Sequence, residues 1–176
     1  MIKFEKPIFK VAEYVESKNY GKFEIEPLER GFGTTLGNAL RRVMLSSLPG
    51  SAISSVKIEG ALHEFQTVEG VVEDVTTIIL NLKKIVVKNH SNDMKTIRIN
   101  VNQEGPVTAG DIDHDSDIEI LNPELVIANV AKGGSLVMEM TVSNGRGYVR
   151  SEDNKKLLDI RKVGVIPVDS LFSPIE

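Results

Sequence analysis

The stretch ERGFGTTLGNALRRVMLSSLPG, residues 29–50, decides how the rest of the chain is read. Just before it, Tyr20 to Leu28 alternates Phe23 and Ile25 against Lys22, Glu24 and Glu26, which predicts a half-buried strand. After Gly31 and Gly33 the apolar period becomes helical. Thr34 or Thr35 is the expected cap, and Pro49-Gly50 the expected stop, because proline cannot continue the backbone ladder and glycine accepts a left-handed closing residue. Leu36, Ala39, Leu40, Val43 and Met44 then share one stripe that needs burial. The opposite side carries Asn38, Arg41, Arg42 and Leu45. Two arginines with a leucine one turn on suit a protein interface, since guanidinium binds carboxylates and carbonyls while leucine fills a pocket. A solvated face with one stray leucine fits the same periodicity.

Outward from this helix, Ile2 to Tyr14 reads as an irregular edge segment or strand, and Ala52 to Glu59 as a strand closed by Gly60. Val68, Val71, Val72, Val75, Ile78, Ile79 and Leu82 follow the helical period, so a second helix is expected over 68–82 despite its β-branched composition. Glu69, Glu73 and Asp74 near its start and Lys83 and Lys84 at its end suit the helix dipole. Beyond it, 85–88, 96–101, 119–121, 126–129 and 136–142 are short β-prone runs between Asn-Asp, Gly-Pro, Asn-Pro and Gly-Gly turns,. Ser151 to Lys156 reads as a polar loop, and Val163 to Phe172 as a last strand-like segment. Helices early and strands late favour an α+β fold over a wound parallel sheet.

With 176 residues, 41% of them hydrophobic and 26% charged, the chain has ordinary globular composition,. No run approaches the ~18 apolar residues of a membrane span, and the amino terminus resembles no signal peptide. Cytoplasmic placement is therefore expected. Absence of cysteine removes disulfides, thiolate catalysis and thiolate-ligated zinc,. A net charge of −4 opposes nonspecific nucleic-acid binding, which needs clustered cations,.

Several constellations look like chemistry and fail on spacing. Gly31, Gly33 and Gly37 lie where a dinucleotide loop would, but the third glycine comes four residues after the second instead of three; tight turning and close helix packing are expected of them instead. Asp111, Asp113, Asp115 and Asp117 alternate around His114. A calcium loop from Asp111 would need glycine at Ser116 and glutamate at Asn122, and one from Asp113 would need glycine at Ile118. His63, His90 and His114 have no ligand spacing, and Ser46-Ser47 has no nucleophile elbow. Arg146, in a Gly-rich run with Tyr148, is read as a hairpin turn rather than an RNA contact. No cofactor, metal or catalytic group is expected. A stand-alone nucleic-acid-binding module built on Arg41-Arg42 and the β-rich region is the alternative class, and a free-standing enzyme a distant third.

The segment LERGFGTTLGNALRRVMLSSLPG closely resembles the signature of the bacterial RNA polymerase alpha-subunit family, in its amino-terminal domain. The likeness continues through GALHEFQTVEGVVEDVTTIILNLK (60–83), GPVTAGDIDHDSDIEILNPE (105–124), NGRGYV (144–149) and GVIPVDSLFSPIE (164–176), in the family's order. It implies a non-catalytic scaffold that dimerises and docks the beta and beta-prime subunits, within a nucleotidyltransferase whose magnesium-binding aspartates belong to beta-prime. It also implies a dimerisation domain of residues 1–48 and 167–176, incomplete here, with a β-rich domain of residues 49–166 inserted. Position by position, Phe32, Leu36 and Val43 match dimer-facing residues, Arg42 and Leu45 the beta contact, and Lys83 and Val168 the beta-prime contact. In the family the chain continues past SPIE with another strand, a second long helix completing the dimer interface, a linker and a DNA-binding domain. Weakened pairing and no direct DNA contact are therefore expected of this chain.

Overall fold

A computed structural model of the chain describes residues 6–157 and 163–175; residues 2–5 of the expected amino-terminal segment lie outside that range. The chain divides into two compact units between Val43 and Met44. Helices and antiparallel ladders together make it α+β.

The first unit is a hairpin and most of a helix. Strand β1 (Ile8–Val15) pairs antiparallel with β2 (Tyr20–Glu26), with a bulge between Val11 and Glu13. Asn19 turns the chain in the left-handed region at φ 50°, where asparagine is tolerated,. Phe9 stacks on Phe23 at 5.3 Å, and Lys10 pairs with Glu26 at 3.0 Å. The alternation of β2 is present, and among the described residues Ile25 is half-buried while Phe23 remains 52% exposed. Helix α1 (Phe32–Ser47) begins two residues before the expected cap. Gly31, at φ +91°, makes the turn, and Thr35 Oγ1 donates back to the Gly31 carbonyl at 3.5 Å rather than capping.

The second unit is organised on β3 (Pro49–Ile58). Gly50 is not the left-handed helix terminus expected of it; it lies in this strand, opposite Gly145. The helix expected over 68–82 is only α2 (Val75–Leu82). Upstream, β-branched propensity prevails over period: Val71 bridges Val130, and the Val72 amide donates to the Asn129 carbonyl at 2.9 Å,. Gly70, at φ +79° and against Gly134, could not be helical there. Asp74 is the cap, its carboxylate accepting from the Thr77 amide at 2.8 Å,.

Strands β4 (Val87–Asn89), β5 (Lys95–Val101), β6 (Gly105–Thr108), β7 (Ile118–Ile120), β8 (Val126–Val130) and β9 (Leu136–Arg146) follow. Gly105-Pro106, expected as a turn, opens β6, which pairs with β8. After β9, Gly147 at φ +63° bends the chain into β10 (Tyr148–Val149), which pairs with a distant strand rather than closing a hairpin. Ser151–Leu157, expected as a loop, is helix α3, with acids in its first turn, lysines in its last, and Asn154 buried. Strands β11 (Val165–Pro167) and β12 (Ser170–Leu171) complete the unit. The main sheet runs β11-β3-β9-β5. Ile97, Ile99, Leu136, Met138, Met140 and Val142 alternate onto its buried face, where Val75, Ile78 and Leu82 of α2 belong to the same core cluster.

Candidate functional site

All sixteen residues of α1 are partly or fully exposed. Phe32 and Val43 are each 56% exposed, Leu40 is 46% exposed, and Leu36 is half-buried. Among the described residues, the stripe predicted to need burial stays exposed except at Leu36. Gly33 and Gly37 likewise meet nothing among the described residues within 4 Å of an added Cβ, so the close packing expected of them is not seen there. One turn apart on the helix, Arg42 is exposed and Leu45 is 41% exposed, which keeps an apolar anchor beside a guanidinium at the surface,.

Lys83 and Val168 are brought together, but in different ways. Lys83 ends α2 at the surface, and its ammonium lies 3.1 Å from the Asp169 carboxylate. Val168 is only 2% exposed and belongs to the core. Its main chain is tied down on both sides: the amide donates to the Ser54 carbonyl at 2.9 Å, and the carbonyl accepts from Asn154 Nδ2 at 2.6 Å. The polar group that Val168 carries to the surface is its neighbour. Asp169 accepts the Ser151 amide at 2.8 Å as well as the Lys83 ammonium. The Ser151 amide first, then Lys83, outweigh burial and lower its carboxyl from 3.8 to about 2,.

In the loop before α2, sequence reasoning marks His63 of LHEF as an interface or structural residue, the structural role favoured, and passes over Leu62 and Phe65. Leu62 is 67% and Phe65 82% exposed, although the loop is well tied. Gln66 Oε1 accepts the Leu62 and His63 amides, and Thr76 Oγ1 donates to the Glu64 carbonyl at 2.7 Å. Two apolar side chains held outward on a fixed loop suit an interface. The available signal was LHEF, apolar residues outside any period.

The acidic run is occupied structurally. Asp111 accepts the Thr108 amide at 2.7 Å, closing a capping box,. Asp115 and Asp117 both bind Lys95, at 2.9 and 2.6 Å, and these two carboxylates, Asp117 foremost, hold the ammonium above its usual range. His90 Nε2 lies 3.1 Å from Glu119, at the edge of an open depression of about 470 Å³ that His114 also lines. Among the described residues no three His, Cys, Asp or Glu side chains converge to hold a metal ion, and no helix is long and apolar enough to cross a membrane.

Residues 56–173, more than half of the chain, match the family described as the RNA polymerase Rpb3/RpoA insert domain. The chain belongs to that family. Proteins named DNA-directed RNA polymerase subunit alpha from Desulforamulus reducens and Symbiobacterium thermophilum are each 58% identical to it over 175 residues, and one from Moorella thermoacetica is 59% identical. The alignments cover 99% of this chain and 55% of each relative, so the chain spans about half their length. The family match takes in α2, the acidic run, the Lys83–Asp169 pair and the Leu62–Phe65 loop; α1 lies before it.

Proposed function

We propose that this chain is the assembly scaffold of a bacterial RNA polymerase alpha subunit, pairing with a second copy and docking the beta and beta-prime subunits. The observation that carries the reading is α1, a helix with no buried residue and apolar side chains on two faces. Helical stability in proteins comes mostly from a packed face, so a helix of this composition needs partners. In this reading Phe32, Leu36 and Val43 meet the second copy. Arg42 and Leu45 meet beta, a guanidinium and an aliphatic anchor being suited to a desolvated contact. Lys83, with Asp169 held beside it, meets beta-prime; buried Val168 positions that pair. The nucleotidyl transfer belongs to the assembled enzyme, and this chain supplies none of its reacting groups.

The same reading makes residues 49–166 a domain inserted in a dimerisation domain of residues 1–48 and 167–176. The family match over residues 56–173, which begins after α1, supports a separate domain following that helix.

The test is co-expression with a bacterial beta subunit, purification of the complex, and light scattering for stoichiometry. Two copies of this chain per beta support pairing and docking together. One copy per beta supports docking alone, and recovery of no complex from a folded chain overturns the reading.

A further inference from the structure

Gly50 and Gly145 face each other across the β3–β9 ladder. Their lack of side chains leaves a notch on the sheet, and Phe172 fills it. A Cβ at Gly145 would come within 2.8 Å of the Phe172 ring, and one at Gly50 would overlap the Phe172 carbonyl. The ring is 4% exposed, yet Phe172 stands outside the contiguous cluster of buried side chains that forms the core. Between Val168, which is in the core, and Phe172, Asp169 is half-buried, Ser170 is buried but polar, and Leu171 is 59% exposed. Within residues 169–172 the hydrophobic hold is therefore Phe172. Its other ties are polar: Ser170 Oγ donates to the Ile53 carbonyl at 2.9 Å and accepts from Asn154 Nδ2 at 2.9 Å, the Phe172 amide donates to the Gly147 carbonyl at 2.8 Å, and Ser170–Leu171 pairs with Tyr148–Val149. Gly147 lies under the last turn of α1, where a Cβ would stand 3.4 Å from the Ser46 carbonyl.

We propose that Asp169–Phe172 is a strap latched by Phe172 in the Gly50–Gly145 notch, that it opens without the core opening, and that the latch is what holds Asp169 against Lys83 and Ser151. Segments with few apolar contacts outside the core open at lower cost than the global transition. Asp169 sits between the two anchors, so freeing the second one loosens the carboxylate that joins α2 to α3. The latch is a property of the free chain and stands apart from the docking reading. Where both hold, an open strap also weakens beta-prime capture.

Residue-resolved amide exchange on the whole chain tests it, in Phe172→Ala and Gly145→Ala. Gly145 lies outside the left-handed region, so alanine fits its backbone and only displaces the ring. In both variants the amides of Phe172 and Ser151 are expected to exchange about tenfold faster or more, while those of Ile97, Ile99, Met138 and Met140 stay within about twofold of the parent. Acceleration throughout the sheet would make Phe172 an ordinary core residue and overturn the proposal. So would a fast Phe172 amide beside an unchanged Ser151 amide, or a Gly145→Ala chain that exchanges like the parent.

Discussion

Asp169 accepts from a backbone amide and from a lysine at once, and the two partners can be separated by substitution. Asp169→Asn keeps an oxygen for the Ser151 amide and removes the charge that faces Lys83. The native carboxyl is lowered from 3.8 to about 2, so its contribution is complete above 3.8 and is lost as pH falls through that range,. Urea midpoints of parent and variant should therefore differ most at neutral pH and converge as pH approaches 2,. A gap that persists unchanged in acid would mean that the charge is idle. Glu73 tests the same kind of tie inside the fold. Its carboxylate accepts the Asn129 amide at 2.6 Å and Asn129 Nδ2 at 2.7 Å. Burial opposes ionisation there, but the two Asn129 bonds outweigh it and hold the carboxyl below its ordinary value,. Glu73→Gln leaves one donor facing an amide nitrogen, and should cost about 1–3 kcal/mol in chemical denaturation.

At the scale of the element, α2 tests period against propensity. Ile78 is fully buried, whereas Leu80, two residues on, is 53% exposed. Ile78→Ala should lower stability by about 2–5 kcal/mol, and Leu80→Ala by about 0.5 kcal/mol or less; comparable losses would contradict the observed face. The same helix explains what the sequence could and could not tell. Val75, Ile78 and Leu82 were legible because one helical face packs into one core. Val68 to Val72 kept the spacing by coincidence: the chain there is fixed by the Gly70–Gly134 approach and the Val72–Asn129 bond, and no local pattern carries a contact sixty residues away. Helix α3 was illegible for the opposite reason. Its first six residues carry no apolar side chain, and it is placed by buried Asn154 reaching the Val168 carbonyl and Ser170. Among the proposed site residues, those on α1 could be placed on two helix faces by their period, but a solvated second face fitted equally well and the resemblance alone assigned them partners,. The Lys83–Asp169 pair was not legible, since 86 residues separate its members.

For the molecule as a whole, the imbalance between the two units is the guide to function. The second unit encloses a core of fully buried aliphatics, while the hairpin and helix of the first leave Phe9, Phe23, Phe32, Leu40 and Val43 outward. Apolar exposure of this extent on a compact unit marks a surface that is covered in use. Two substitutions on one helix turn distinguish its two proposed coverings. Val43→Glu puts a charge into the stripe that would face a second copy; because Val43 is 56% exposed, the fold should survive, as circular dichroism would show. Self-association, read as mass above the 19.4 kDa of one chain in light scattering, should weaken about tenfold or more,. Arg42→Ala leaves the stripe intact and removes a charged donor, so self-association should be unchanged while capture of a bacterial beta subunit is lost. The crossed result, pairing lost in one variant and docking in the other, requires two separate faces on α1. If both variants lost both properties with the helix intact, one shared surface would serve both partners, and the division into a dimer face and a beta face would have to be given up.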